Sequence, residues 1–144
     1  MIAPSSTINF TLVIGNTISE MEKVVALVEQ FGAAHNIPNQ VINEFNLCLD
    51  EILNNTISYG YDDSESHCIR VTLTLANGVL TAEIVDDGKP FDPRQSIPPV
   101  PSQSLRERKL GGVGLHFVQA LTDKVDYVRK EGCNHLKLHK KLYV

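Results

Sequence analysis

The sequence predicts an α+β fold, a two-layer sandwich in which helices cover one face of a mixed, mostly antiparallel sheet. Two observations carry that expectation. Two helical stretches are grouped together between the first and second strand-like runs. The other strands come in pairs joined by tight-turn dipeptides, Asn77-Gly78 and Glu131-Gly132.

Thr7 to Ile14 alternates and is rich in β-branched residues, so it reads as a strand ended by Gly15-Asn16. Ser19 to Ala34 places Met21, Val24, Val25, Leu27, Val28 and Phe31 at helical spacing, and Gly32 with Asn36 to Pro38 is expected to end that helix. A second helix starts at Pro38 or Asn39 and runs to about Tyr59. Its apolar face is Val41, Ile42, Phe45, Leu49, Ile52, Leu53 and Ile57, and Gly60 serves as C-terminal cap. Cys68 to Ala76 and Val79 to Val85 form a hairpin about Asn77-Gly78. Pro93 to Lys109 keeps no periodicity and reads as a long loop, a kind of segment that usually has a function in a compact domain. A helix opened by glycines follows from Gly114 to Leu121, then a closing hairpin, Val125 to Arg129 and Asn134 to Leu142.

A chain of 144 residues is expected to form one domain with a sizeable core. A formal charge of −4 and a pI near 5.7 argue against a general nucleic-acid binder. No apolar run approaches the roughly 18 residues of a membrane span, and the N-terminus lacks the pattern of a signal peptide. Cys48, Cys68 and Cys133 show no metal-ligand spacing and suggest reduced thiols in a cytoplasmic setting, with Cys48 as core filler.

Three short motifs carry chemistry. Glu51 and Asn55, four residues apart, share a helix face. The carboxylate can orient or deprotonate an attacking hydroxyl, and the amide oxygen is a hard ligand suited to Mg²⁺. Two adjacent asparagines, Asn54 and Asn55, within a helix go against propensity and suggest a local function. Asp86-Asp87-Gly88-Lys89-Pro90-Phe91-Asp92-Pro93 follows a strand directly. Asp86 could there accept a hydrogen bond from an exocyclic amine such as adenine's, and Gly88 lets the backbone turn closely. Gly111-Gly112-Val113-Gly114-Leu115 opens a helix whose N–H groups and dipole favour phosphates. It is neither a Rossmann fingerprint nor a phosphate loop with Gly-Lys-Ser/Thr. Arg94, Arg106, Arg108 and Lys109 in the intervening loop could reach a triphosphate. Taken singly, each motif reads as well or better as a solvated helix face, a β-turn or a loop end. The three in this order point to ATP.

Together the motifs resemble the N, G1 and G2 boxes of the GHKL (Bergerat-fold) ATPases. The likeness spans nearly the whole chain, and it is closer to the branch of anti-sigma-factor serine/threonine kinases. The segment from Leu49 to Tyr61, Asp86 to Pro93 and Gly111 to Tyr127 carry it. The resemblance implies Glu51 as catalytic base toward a protein serine or threonine and Asn55 as the Mg²⁺ ligand. It implies ATP contacts at Asp86, Gly88, Phe91, Gly112, Val113, Gly114 and Leu115, beneath a lid of about 93–110. It also implies a homodimer that binds a sigma factor and phosphorylates an anti-anti-sigma (STAS-domain) protein. Two departures stand out: Tyr59 where the family often has histidine, and a proline-rich lid. The alternative is a non-catalytic, ATP-gated binding module in a partner-switching pathway, which would have no need of Glu51. The catalytic half of a histidine kinase is disfavoured, since no helical hairpin with an acceptor histidine is evident.

Overall fold

The computed structural model describes residues 7–95 and 114–142, and for 114–116 the backbone only. The elements are β1 (Ile8–Gly15), a short 3-10 turn (Ile18–Glu20), α1 (Met21–Ala34), α2 (Asn39–Tyr59), β2 (Cys68–Ala76), β3 (Val79–Asp86), a 3-10 turn (Pro93–Gln95), α3 (Gly114–Leu121), β4 (Lys124–Lys130) and β5 (Cys133–Lys141).

The strands form one sheet in the order β1-β2-β3-β5-β4, and every pairing among the described residues is antiparallel rather than mixed. The connections explain this. The excursion through α3 sets β4 at the far edge and leaves a slot beside β3, and the β4–β5 hairpin returns β5 into it. Both hairpin turns place two successive residues at positive φ, Asn77 (54°) with Gly78 (73°) and Glu131 (53°) with Gly132 (76°). This is the twist that two-residue hairpins require.

Alternation sends Ile69, Val71, Leu73, Leu80, Ala82, Ile84, Leu136 and Leu138 to one face of the sheet. There they meet Val24 and Val28 of α1 and Phe45, Cys48, Leu49, Ile52 and Leu53 of α2 in a single core. Each large side chain so buried contributes about 1.5–3 kcal/mol. The opposite face is polar, with Thr11 against Thr72 and His139 against Asp126. Cys48 is fully buried, and burial pushes its thiol up to about 11, so it is core filler as expected.

Two glycines act differently from the expectation. Gly32 does not end α1, which continues to Ala34; a Cβ there would lie 2.5 Å from Ile42 Cδ1, so Gly32 lets α1 and α2 approach closely. Asn36, in the left-handed region at φ 57°, makes the turn instead. Gly60 does cap α2, but with right-handed backbone (φ −75°). A Cβ at Gly60 would come within 2.5 Å of the Thr56 carbonyl oxygen. The first helix also begins two residues later than Ser19. Glu20 reaches back to accept the Gly15 N–H (3.0 Å) and pairs with Lys23 (2.6 Å), so the entry turn is tight.

Candidate nucleotide site

A cleft of about 310 Å³ opens between the C-terminal half of α2 and the ends of β3 and β5. Its apolar floor is Ile52, Ile84 and Leu136, and its polar groups include Asn55, Thr56, Asp86, Tyr127 and Asn134. An apolar pocket with a few convergent polar groups is the usual form of a small-molecule site.

Asp86 ends β3, as its motif predicts, and is 7% exposed. Burial raises its carboxyl above the usual carboxylate range, opposed by the Asn134 amide, the Gly88 N–H and the Arg129 guanidinium. The Gly88 N–H and Asn134 Nδ2 both donate to Asp86 Oδ1, each at 2.9 Å. Gly88 packs its backbone against the end of α2. A Cβ there would lie 2.8 Å from the Gly60 carbonyl oxygen, which itself accepts the Lys89 N–H at 2.7 Å. Lys89 Nζ then pairs with Asp62 at 3.0 Å. Gly88 therefore serves a close approach between two backbones, and the turn after β3 is stitched to the helix end.

Across the cleft, Asn55 is 8% exposed and its Nδ2 donates to Glu51 Oε1 at 3.4 Å. Glu51 is half-buried and stands one turn earlier in α2, outside the cleft lining. Phe91 lines the cleft. Gly114 opens α3 with Leu115 behind it, whereas Gly112, Val113, Arg106, Arg108 and Lys109 lie outside the described residues, as does most of the expected lid. Arg94 is bound to Asp92, with Nη2 to Oδ2 at 2.8 Å and Nε to Oδ1 at 3.0 Å. Its guanidinium carbon lies 6.0 Å from the Tyr127 ring centre.

Sequence reasoning missed Asn134, Tyr127 and Arg129. Asn134 is 5% exposed, lies opposite Asp86 in the β3–β5 register and accepts from the Tyr127 hydroxyl. Arg129 Nη1 donates to the Gly88 carbonyl at 2.6 Å. An asparagine in a buried strand position, where such residues are depleted, was the available signal.

Behind the turn, His67 bridges two acids. Nε2 lies 2.8 Å from Asp63 and Nδ1 3.1 Å from Asp87, and the ring stacks on Tyr61 at 4.3 Å. Only the imidazolium donates from both nitrogens. The hydrogen bond to Asp63 foremost, and that to Asp87, raise the His67 pKa; the same bond lowers that of Asp63. The histidine's contribution is therefore fully present below its ordinary pKa near 6.5 and is lost as pH rises through the higher folded value. Wild-type protein is expected to melt above His67→Gln at mildly acidic pH, with the gap closing toward alkaline pH. A gap that does not change with pH would contradict the bridge.

The chain belongs to the histidine kinase-like ATPase domain family, which matches residues 15–140. It is 34% identical over 92 residues to the serine/threonine-protein kinase BtrW of Bordetella bronchiseptica, covering 64% of this chain and 65% of that one. It is 26% identical over 88 residues to the serine-protein kinase RsbW of Oceanobacillus iheyensis, covering 58% and 56%. Each match spans less than two thirds of the relative's length. Among solved structures, the crystal structure of the RsbU and RsbW domains of a Mycobacterium tuberculosis protein superposes with a TM-score of 0.68 at 19% identity, over 94% of this chain and 32% of that one. A blue-light activated histidine kinase of Erythrobacter litoralis gives 0.55 at 15%, over 86% and 41%. At these identities the two structures speak for the fold. Among the described residues no helix is long and apolar enough to cross a membrane.

Proposed function

We propose that this chain is an ATP-dependent serine/threonine protein kinase of the anti-sigma type. It binds a sigma factor and phosphorylates an anti-anti-sigma STAS-domain protein, as a homodimer in the cytoplasm. The observation that carries the catalytic part is Glu51, a half-buried carboxylate hydrogen-bonded to Asn55, which itself lines the cleft. A module that only bound ATP would have no need of a base there. The relatives named as kinases support the same reading.

Asp86 holds the adenine amine in this account, and the floor of Ile52, Ile84 and Leu136 takes the base plane. Gly112, Val113, Gly114 and Leu115 would contact the phosphates, with Arg94, Arg106, Arg108 and Lys109 on the lid. The partner's serine or threonine oxygen attacks the γ-phosphorus as its bond to the β-phosphate bridging oxygen breaks. ADP leaves and Glu51 takes the hydroxyl proton. Asn55 fits a Mg²⁺ site, because its Nδ2 is turned to Glu51 and its oxygen is left as the acceptor. The metal, when bound, would neutralise charge on the phosphates.

The test is label transfer from γ-labelled ATP to purified STAS-domain proteins of the same organism. Phosphoserine or phosphothreonine on one of them is the expected product. ATP binding without transfer would overturn the kinase reading in favour of a non-catalytic, ATP-gated module.

A further inference from the structure

The Asn134 amide uses its whole hydrogen-bonding capacity. Nδ2 donates to Asp86 Oδ1 and to the Lys89 carbonyl, both at 2.9 Å. Oδ1 accepts the Tyr127 hydroxyl and the Phe91 N–H, the latter at 3.4 Å. Two acceptors on one side and two donors on the other leave a single orientation for the amide. The Lys89 carbonyl can only accept and the Phe91 N–H can only donate, so they decide that Asn134 presents its NH₂, and not its oxygen, to Asp86, and the Tyr127 hydroxyl adds a second donor that holds it there.

The consequence falls on Asp86. Its Oδ1 receives both the Asn134 and Gly88 donors, while among the described residues no hydrogen bond reaches Oδ2. Asp86 nevertheless lines the cleft. One oxygen is tied to the protein and the other is left for a ligand. Asn134 stands on β5 directly opposite Asp86, so the register of the sheet fixes the pair.

We propose that Asn134, anchored by Tyr127, is a positioning residue that keeps Asp86 Oδ2 facing the nucleotide as an acceptor. It thereby sets the preference for a base with an exocyclic amine over one with a carbonyl at that position. This rests on the reading of the cleft as an ATP site. A purine with a 6-amino group can donate to Oδ2; guanine, with an oxygen there, meets it acceptor to acceptor. Were Asp86 protonated, it could donate to that oxygen and the discrimination would fade. Three charged or titratable groups face Asp86 besides the amide. Arg129 from β4 favours its ionised form; Asp87, the next residue in the turn after β3, and Tyr61 beyond α2 do not. Asn134 adds a donor on the side of Arg129.

The experiment is calorimetric binding of ATP and of GTP to wild type, Asn134→Ala and Tyr127→Phe, from about pH 5.5 to about pH 8. Each variant is compared with wild type at the same pH, so the nucleotide's own titration cancels. Asn134→Ala is expected to weaken ATP binding by about tenfold at the alkaline end, the scale for losing one hydrogen bond to a buried charged group. The deficit should grow toward acid pH, and the ATP-to-GTP ratio should narrow. Tyr127→Phe should move both readouts in the same direction by less. A deficit equal at every pH with an unchanged ATP-to-GTP ratio would overturn the positioning role, leaving a structural one. Should Asn134→Ala fail to fold, Tyr127→Phe decides alone, and an unchanged ratio and pH profile there overturns the proposal. Wild type that binds neither nucleotide overturns the nucleotide reading itself, an outcome distinct from the other two.

Discussion

Asp86→Asn is expected to weaken ATP binding roughly 30- to 150-fold while the protein stays folded. The donors from Gly88 and Asn134 both converge on Oδ1. An asparagine would place its own oxygen there and turn its NH₂ to the ligand. The adenine amine would then meet a donor where it had an acceptor, and one hydrogen bond to a charged group would become an unsatisfied pair. That loss is about 2–3 kcal/mol, which gives the range above. Stability should hold or rise near neutral pH. Burial raises the Asp86 pKa, so its contribution is full below the unfolded value of 3.8 and is lost as pH rises through the folded value. The amide avoids that penalty. Calorimetry with thermal melts on the same samples measures both effects. Undiminished ATP affinity would remove Asp86 from the site.

Glu51→Ala should lower phosphotransfer by roughly 10²- to 10⁴-fold, the usual contribution of a positioned general base. ATP affinity should change little. Glu51 stands outside the cleft lining, and its tie to Asn55 is a long 3.4 Å hydrogen bond. The two substitutions therefore separate, one acting on binding and the other on turnover. Single-turnover rates at saturating ATP measure the second. A Glu51→Ala protein that transfers phosphate at the wild-type rate would leave the hydroxyl without its proposed base.

Much of this was legible in the chain. Both hairpins were marked by a dipeptide ending in glycine, and the structure turns at Asn77-Gly78 and Glu131-Gly132. The period of α2 gave its buried face from Val41 to Leu53 and put Asn55 toward the cleft. Less legible was whatever depends on contacts between distant segments. Gly32 looked like a helix stop because propensity is local; its reason is Ile42, on the neighbouring helix. Gly88 looked like a turn residue, and its reason is the Gly60 carbonyl. Asn134 had no motif of its own. Its role exists only because the register sets it opposite Asp86, 48 positions earlier in the chain. The antiparallel character of the whole sheet was hidden in the same way, since the insertion of β5 between β3 and β4 is a matter of topology.

The strand order has a consequence for how assembly and nucleotide exchange relate. The cleft draws on β3, β5 and, through Tyr127, β4, while β1 is the outer strand on the other side, two places from β3. Neighbouring strands stand about 4.8 Å apart, so the outer margin is about 10 Å from the strand that bears Asp86. A strand added along β1 would lengthen the sheet without altering the match of Asp86 to Asn134. Subunits joined along that margin could each load and release nucleotide on their own account. Any communication between them would have to pass through the helical layer or the loops.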